Sequence, residues 1–164
     1  MTNPIILKEF WYDLTDDERN IILTNCHTEY DNLLQGKPFN PELINKYFQV
    51  DNKKFIDRAQ EGNLELVKMY IQLGVNIHTK DDCALMWSSN NGHLSVVKYL
   101  VEHGANIHAK DNYALQWACF NGHLDVVVYL VKQGANIHAD KDLALRWASN
   151  NGHTEVVKYL KSVS

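Results

Sequence analysis

The sequence has 164 residues, is 45% hydrophobic and 22% charged, and carries a formal net charge of −4 with a mean hydropathy of −0.35. Such a chain can bury a core, is not compositionally disordered, and has the size of one domain or of a short repeat array with a cap. Its charge is uneven: residues 1–50 hold 4 basic and 8 acidic side chains and residues 51–164 hold 12 of each, so no basic stripe exists for phosphates and no nucleic-acid partner is expected.

The three cysteines, Cys26, Cys83 and Cys119, form no Cys-x-x-Cys pair and fall inside apolar or helical patterns, as reduced thiols do. Before the first acidic residues the N-terminus offers only Ile5-Ile6-Leu7, too short for a signal-peptide core, and no apolar run approaches membrane-spanning length. The expectation is an intracellular protein with no membrane association.

Taken in chain order, Thr15 and Glu18 have the spacing of a capping box, and Ile22, Cys26, Tyr30, Leu33 and Leu34 recur behind them at helical spacing up to Gly36. Asn40 as N-cap and Pro41 at the first helical position announce a second helix carrying Leu43, Ile44, Tyr47 and Phe48. Neither helix copies the pattern of residues 51–164. Residues 1–50 are therefore expected to form a helical N-terminal cap that covers the first repeat. The other reading is a separate recruiting module with Phe10-Trp11-Tyr12 as its anchor.

From residue 51 the chain repeats. Gly62, Gly92, Gly122 and Gly152 recur every 30 residues, which divides the array into units 51–80, 81–110, 111–140 and a shortened 141–164. Asn52, Asp82, Asn112 and Asp142 are expected as N-caps of a first helix in each unit, their side-chain oxygens accepting the first-turn amides. Asn91-Gly92, Asn121-Gly122 and Asn151-Gly152 then turn the chain, since no alternating strand pattern flanks them. A second helix runs from about Leu94 to Glu102, stops at Gly104, and is followed by a loop with the single apolar anchor Ile107.

The stretch "NGHLSVVKYLVEHGANIHAK" resembles the second half of an ankyrin repeat, and the likeness covers residues 61–164. In that family the first half reads Asp-x-x-Gly-x-Thr-Pro-Leu-His-x-Ala. Here Asp111 is followed by "NYALQWA", shorter by about three residues and lacking Gly, Thr and Pro, so the projecting hairpin is expected to shrink to a tight turn. This short form also resembles repeats of large amoeba-infecting DNA viruses, which would place the protein in the host cytoplasm. The resemblance implies an all-α, ankyrin-like helix-pair solenoid that binds other proteins, without cofactors or catalytic residues.

On the first helices, positions 83, 86, 87 and 90 and their counterparts form an i, i+3, i+4, i+7 stripe opposite the small packing side of Leu85, Ser88, Ser89 and Gly92. The stripe reads Cys83, Met86, Trp87, Asn90, then Tyr113, Gln116, Trp117, Phe120, then Leu143, Arg146, Trp147, Asn150. Its tryptophans apart, it changes at nearly every step between copies, whereas scaffold positions recur. The resemblance implies that first helices line the concave side. Met86, Trp87, Tyr113, Gln116, Trp117, Phe120, Arg146 and Trp147 are thus the candidate partner-binding residues, the aromatics and Arg146 being of the types that dominate interface energetics. The competing reading of the tryptophans is a ladder wedged between neighbouring first helices. Glu65, Lys68, Ser95, Lys98, Glu155 and Lys158 form a polar arc on the second helices, interrupted by Val128.

Two histidine ladders, His93/His123/His153 and His78/His108/His138, have members about one helix spacing apart, too far for one metal ion, and are expected to hydrogen-bond turns and loops instead. Cys119 lies near His123, but on the packing side of its helix, so a buried inert thiol is expected rather than a nucleophile. With no Gly-rich phosphate loop and no His-Glu-x-x-His, the expectation is a non-enzymatic adaptor. The alternatives to it are a self-associating structural protein, a weak homo-oligomer, and, ranked below that, a Cys-dependent enzyme. The motive for the first is the last unit, where only Thr154 and Lys161 replace apolar residues while Leu143, Ala144, Trp147 and Leu160 remain apolar.

Overall fold

A computed structural model describes residues 12, 14–17, 19–20, 28, 31–32 and 51–164. Of the helical cap expected over residues 1–50 only scattered residues are described, and its second helix, with Phe10 and Trp11 of the Phe10-Trp11-Tyr12 anchor, lies outside the described residues. Of that region, Leu14 is buried, Tyr12 is exposed, and Arg19 pairs with Asp16 at 2.8 Å.

Residues 51–164 contain eight helices and no strand: α1 Asn52–Glu61, α2 Leu64–Gln72, α3 Thr79–Asn90, α4 Leu94–Glu102, α5 Ala109–Asn121, α6 Leu124–Lys132, α7 Ala139–Asn150 and α8 Thr154–Val163. The chain divides into two compact units, residues 1–55 with 65–76, and residues 56–64 with 77–164. In the first unit the apolar stripe of α2 is buried, and the fully buried Phe55 and Tyr70 rings meet at 6.4 Å.

The second unit is a helix-pair solenoid. Its first helices α3, α5 and α7 form one layer, its second helices α4, α6 and α8 another, and each first helix packs on its own second helix. The second helices are short and amphipathic, so Val96, Val97 and Leu100 and the equivalent Val126, Val127 and Leu130 disappear between the layers. The first helices carry small side chains there, and Ser88, Ser89, Ala118, Cys119 and Ala148 are all fully buried.

Each first helix ends in a Schellman motif at the Asn-Gly dipeptide. The His93 amide reaches the Ser88 carbonyl at 2.9 Å while Gly92, at φ +75°, donates to Ser89, and His123 and His153 repeat the arrangement on Ala118 and Ala148. The second helices stop as expected, with the Ala105 amide on the Leu100 carbonyl past Gly104.

The starts of the first helices differ from expectation. Lys80-Asp81-Asp82, Lys110-Asp111-Asn112 and Asp140-Lys141-Asp142 are left-handed, with φ between 46° and 65°, and right-handed helix resumes only at Cys83, Tyr113 and Leu143. The tight turn that replaces the hairpin is thus one left-handed turn, closed by the Asp82 amide on the His78 carbonyl at 3.4 Å. Left-handed backbone costs an L-residue about 1–2 kcal/mol, least for Asp and Asn, which supply six of these nine positions.

Nor are Asp82 and Asn112 N-caps of their own helices. Their Oδ1 atoms accept the backbone N–H of Asn106 and Asn136, each at 2.9 Å and in the loop that closes the same unit, together with the Nδ1–H of His78 and His108 at 3.1 Å. The positive φ turns the carboxylate or amide away from the first-turn amides and toward the following loop. At the start of α1 the cap is Asp51, not Asn52: its Oδ1 accepts the Lys53 amide at 2.7 Å.

Candidate protein-binding face

The His ladder after the turn glycines fixes how one first helix is set against the next. His93, His123 and His153 each bring Nε2 to a carbonyl of the preceding repeat, on Gln60, Asn90 and Phe120, at 2.9, 2.9 and 2.8 Å. The rings cover Gly62, Gly92 and Gly122 so closely that a Cβ on any of these would come within 2.6 Å of a ring atom. An Nε2–H satisfies the carbonyl, so the ladder is spent on stacking. The other ladder bonds a side-chain acceptor in its own turn through Nδ1, closing to 2.6 Å at His138–Asp142. Among the described residues no cluster of His, Cys, Asp or Glu is placed to hold a metal ion.

With turns and loops held in this way, the stripe on α3, α5 and α7 lies on one layer. Trp87 and Tyr113 are exposed, at 36% and 40%, and Met86 is half-buried. Trp117, Phe120 and Trp147 are half-buried and pack as a triangle, with centroids 5.3 to 5.4 Å apart and planes inclined by 53° to 75°. Edge-on contacts of this kind are worth about 0.5–1.5 kcal/mol each beyond buried area. Trp117 and Trp147 bridge α5 and α7, as a wedge between first helices would, while all three rings keep some surface in solvent. Trp87 joins no such cluster among the described residues.

Two stripe residues do something the sequence pattern did not announce. Gln116 is buried, 1% exposed, and its Nε2 donates to the Asp111 carbonyl at 2.7 Å, bracing the left-handed turn at the start of its own helix. It is not offered to a partner in this conformation. Arg146, the equivalent residue of the next repeat, reaches the Lys141 carbonyl through Nη1 at only 3.5 Å and stays exposed. Met86 has no donor for that task. The spacing of five residues to the turn carbonyl was the available signal, visible only once the turn's handedness is known.

Cys119 is fully buried on the packing side, and burial pushes its thiol up to about 12. A thiol so far from ionising is no nucleophile at neutral pH. Cys83, by contrast, is half-buried on the stripe.

A family model described as ankyrin repeats (3 copies) matches residues 55–141, just over half of the chain. The chain is an ankyrin-repeat protein. Ankyrin repeats are protein-interaction modules and are typically non-enzymatic. No curated protein matches the chain. Among the described residues of this ankyrin-repeat protein, no helix is long and apolar enough to cross a membrane.

Proposed function

We propose that the chain is an adaptor that binds a protein partner through the first-helix face of its ankyrin stack, the side expected to be concave. The contact surface would be Met86, Trp87, Tyr113, the outer edges of the Trp117–Phe120–Trp147 triangle, and Arg146. The observation that carries this reading is the exposure of Trp87 and Tyr113 on a face whose scaffold hydrogen bonds are already made elsewhere. Large aromatic side chains left in solvent on an ordered surface are characteristic interface anchors. In the same reading residues 1–50 cap the array of units 51–80, 81–110, 111–140 and 141–164. The short repeat form is of the kind found in large amoeba-infecting DNA viruses, and the protein works in the host cytoplasm.

The test is pull-down from the natural host lysate with the full chain and with a Trp87→Ala/Tyr113→Ala variant whose thermal unfolding is unchanged. A partner retained by the native protein and lost from the variant supports the reading. Equal capture by both removes this face from consideration.

A second reading, self-association, is favoured by the last repeat. Leu145 and Val157 are half-buried there, whereas the equivalent Leu115 and Val127 are fully buried, and Val163 is 43% exposed. Light scattering over a range of concentrations distinguishes the two readings, because a strict monomer excludes the second.

A further inference from the structure

The twelve stripe positions on α3, α5 and α7 include a single formal charge, Arg146. The left-handed turns beside this face carry three lysines and five aspartates, with Lys110 paired with Asp81 at 3.3 Å and Asp82 and Asp142 bonded to His78 and His138. Arg146 is different. Its guanidinium is exposed, it has no ion-pair partner among the described residues, and one Nη1 contact at 3.5 Å to the Lys141 carbonyl holds it without neutralising it. A guanidinium presents a planar fork of donors matched to a carboxylate. The face is therefore graded: apolar Met86 and exposed Trp87 on α3, aromatic Tyr113, Trp117 and Phe120 on α5, and a cation beside Trp147 on α7.

From this grading we infer that the partner presents a carboxylate to Arg146 and an apolar or aromatic side chain to Trp87 and Met86, at a fixed separation along one segment. Neighbouring first helices lie about 8–10 Å apart, so the two ends of the face are about 16–20 Å apart. An extended segment spans that distance in about 5–6 residues, at about 3.3 Å each. A helical one, at about 1.5 Å per residue, needs about 11–13. The carboxylate is that of an Asp or Glu side chain or of a chain terminus, since the guanidinium recognises both alike. Specificity then rests on charge at one end and ring contact at the other.

This inference rests on the first-helix face being the binding face, and its test separates the two. A displayed library of random 16-residue peptides is panned on the full chain. Enriched peptides, with free and amidated C-termini, are then titrated by fluorescence anisotropy against the native protein, Arg146→Glu, Arg146→Gln and Trp87→Ala/Tyr113→Ala. Arg146→Gln can keep the turn contact that Gln116 makes one repeat earlier and removes only the charge. The expected result is enrichment of acidic peptides with an aromatic or apolar residue at one of the two separations. Their affinity falls at least tenfold for both Arg146 variants, and replacing the peptide's acid by Lys restores binding to Arg146→Glu. Loss of binding on amidation alone assigns the carboxylate to a terminus. Uncharged or basic peptides that lose binding to Trp87→Ala/Tyr113→Ala but not to the Arg146 variants overturn the inference and leave the face standing. Peptides indifferent to every variant, or no enrichment, overturn both.

Discussion

Gly122 and Gly152 share a left-handed backbone, φ +77° and +74°, but not their surroundings: the His153 ring covers Gly122, and nothing lies within 4 Å of the Cβ position at Gly152. Alanine at 152 meets only backbone strain and should cost about 1–2 kcal/mol. Alanine at 122 must also displace the ring and the Nε2 bond to the Phe120 carbonyl, and urea unfolding should show a further loss of about 1–3 kcal/mol. Equal losses would mean that the ring is not held. Cys119 offers a second measurement. Its thiol, with an ordinary value near 9.0, stands at about 12 in the fold because burial disfavours the thiolate. The native protein keeps the proton where the unfolded chain loses it, so this group's stabilisation is complete below pH about 9. It then falls by about 1.4 kcal/mol per pH unit toward pH 12. A Cys119→Ala variant should show a shallower alkaline loss of stability. Iodoacetamide at pH 8 should label half-buried Cys83 well before Cys119, and rapid labelling of Cys119 would contradict its burial.

The left-handed turn is where the element scale departs most from sequence rules. Asp and Asn before an apolar-periodic run read as N-caps, and the helices do begin just after them, but the side chains of Asp82 and Asn112 hold the loop at the end of their own repeat instead. Asn112→Ala leaves the Asn136 amide and the His108 Nδ1–H without their acceptor and should destabilise the fold by about 1–3 kcal/mol. Asp142→Ala removes only an exposed contact to His138 and should cost less than about 1 kcal/mol. Because Asn112 does at its position what Asp82 does one repeat earlier, Asp82→Asn should be nearly neutral while Asp82→Ala is not. Thermal melts of these four variants rank the turns directly, and an Asp142→Ala penalty as large as that of Asn112→Ala would remove the bridging role. The second helices, in contrast, were readable to the residue. Leu94 to Glu102 forms as the amphipathic pattern and the following glycine require, because both the periodicity and the stop signal are local.

In a repeat stack each unit draws its stability from its neighbours. The α5–α6 pair lies between two others, and its Leu115 and Val127 are fully buried, whereas Leu145 and Val157 of α7 and α8 are only partly covered. Hydrogen exchange should therefore find the core amides of α7 and α8 opening at least about tenfold more readily than those of α5 and α6. Uniform protection would indicate that the last repeat is covered in solution. The face that carries Trp87 and Tyr113 runs from α3 through α5 to α7, so a partner gripping Arg146 and Trp87 together should raise protection in α7 and α8.

By itself the sequence determined the fold class and much of the scaffold. A 30-residue period, two helical patterns per unit and turn glycines at fixed places admit little else than a helix-pair stack, because these signals act within a few residues of one another. It also marked the variable stripe and the thiol withdrawn into the packing. Only the tertiary structure decided which stripe residues remain free. Gln116 and Arg146 occupy equivalent positions, yet one is buried against its own turn and the other is left in solvent; Trp117 and Trp147 close a triangle with Phe120 while Trp87 stands apart. Those differences come from the left-handed turns and from contacts made up to 33 residues away in the chain, between repeats, where the pattern of any one unit carries no information.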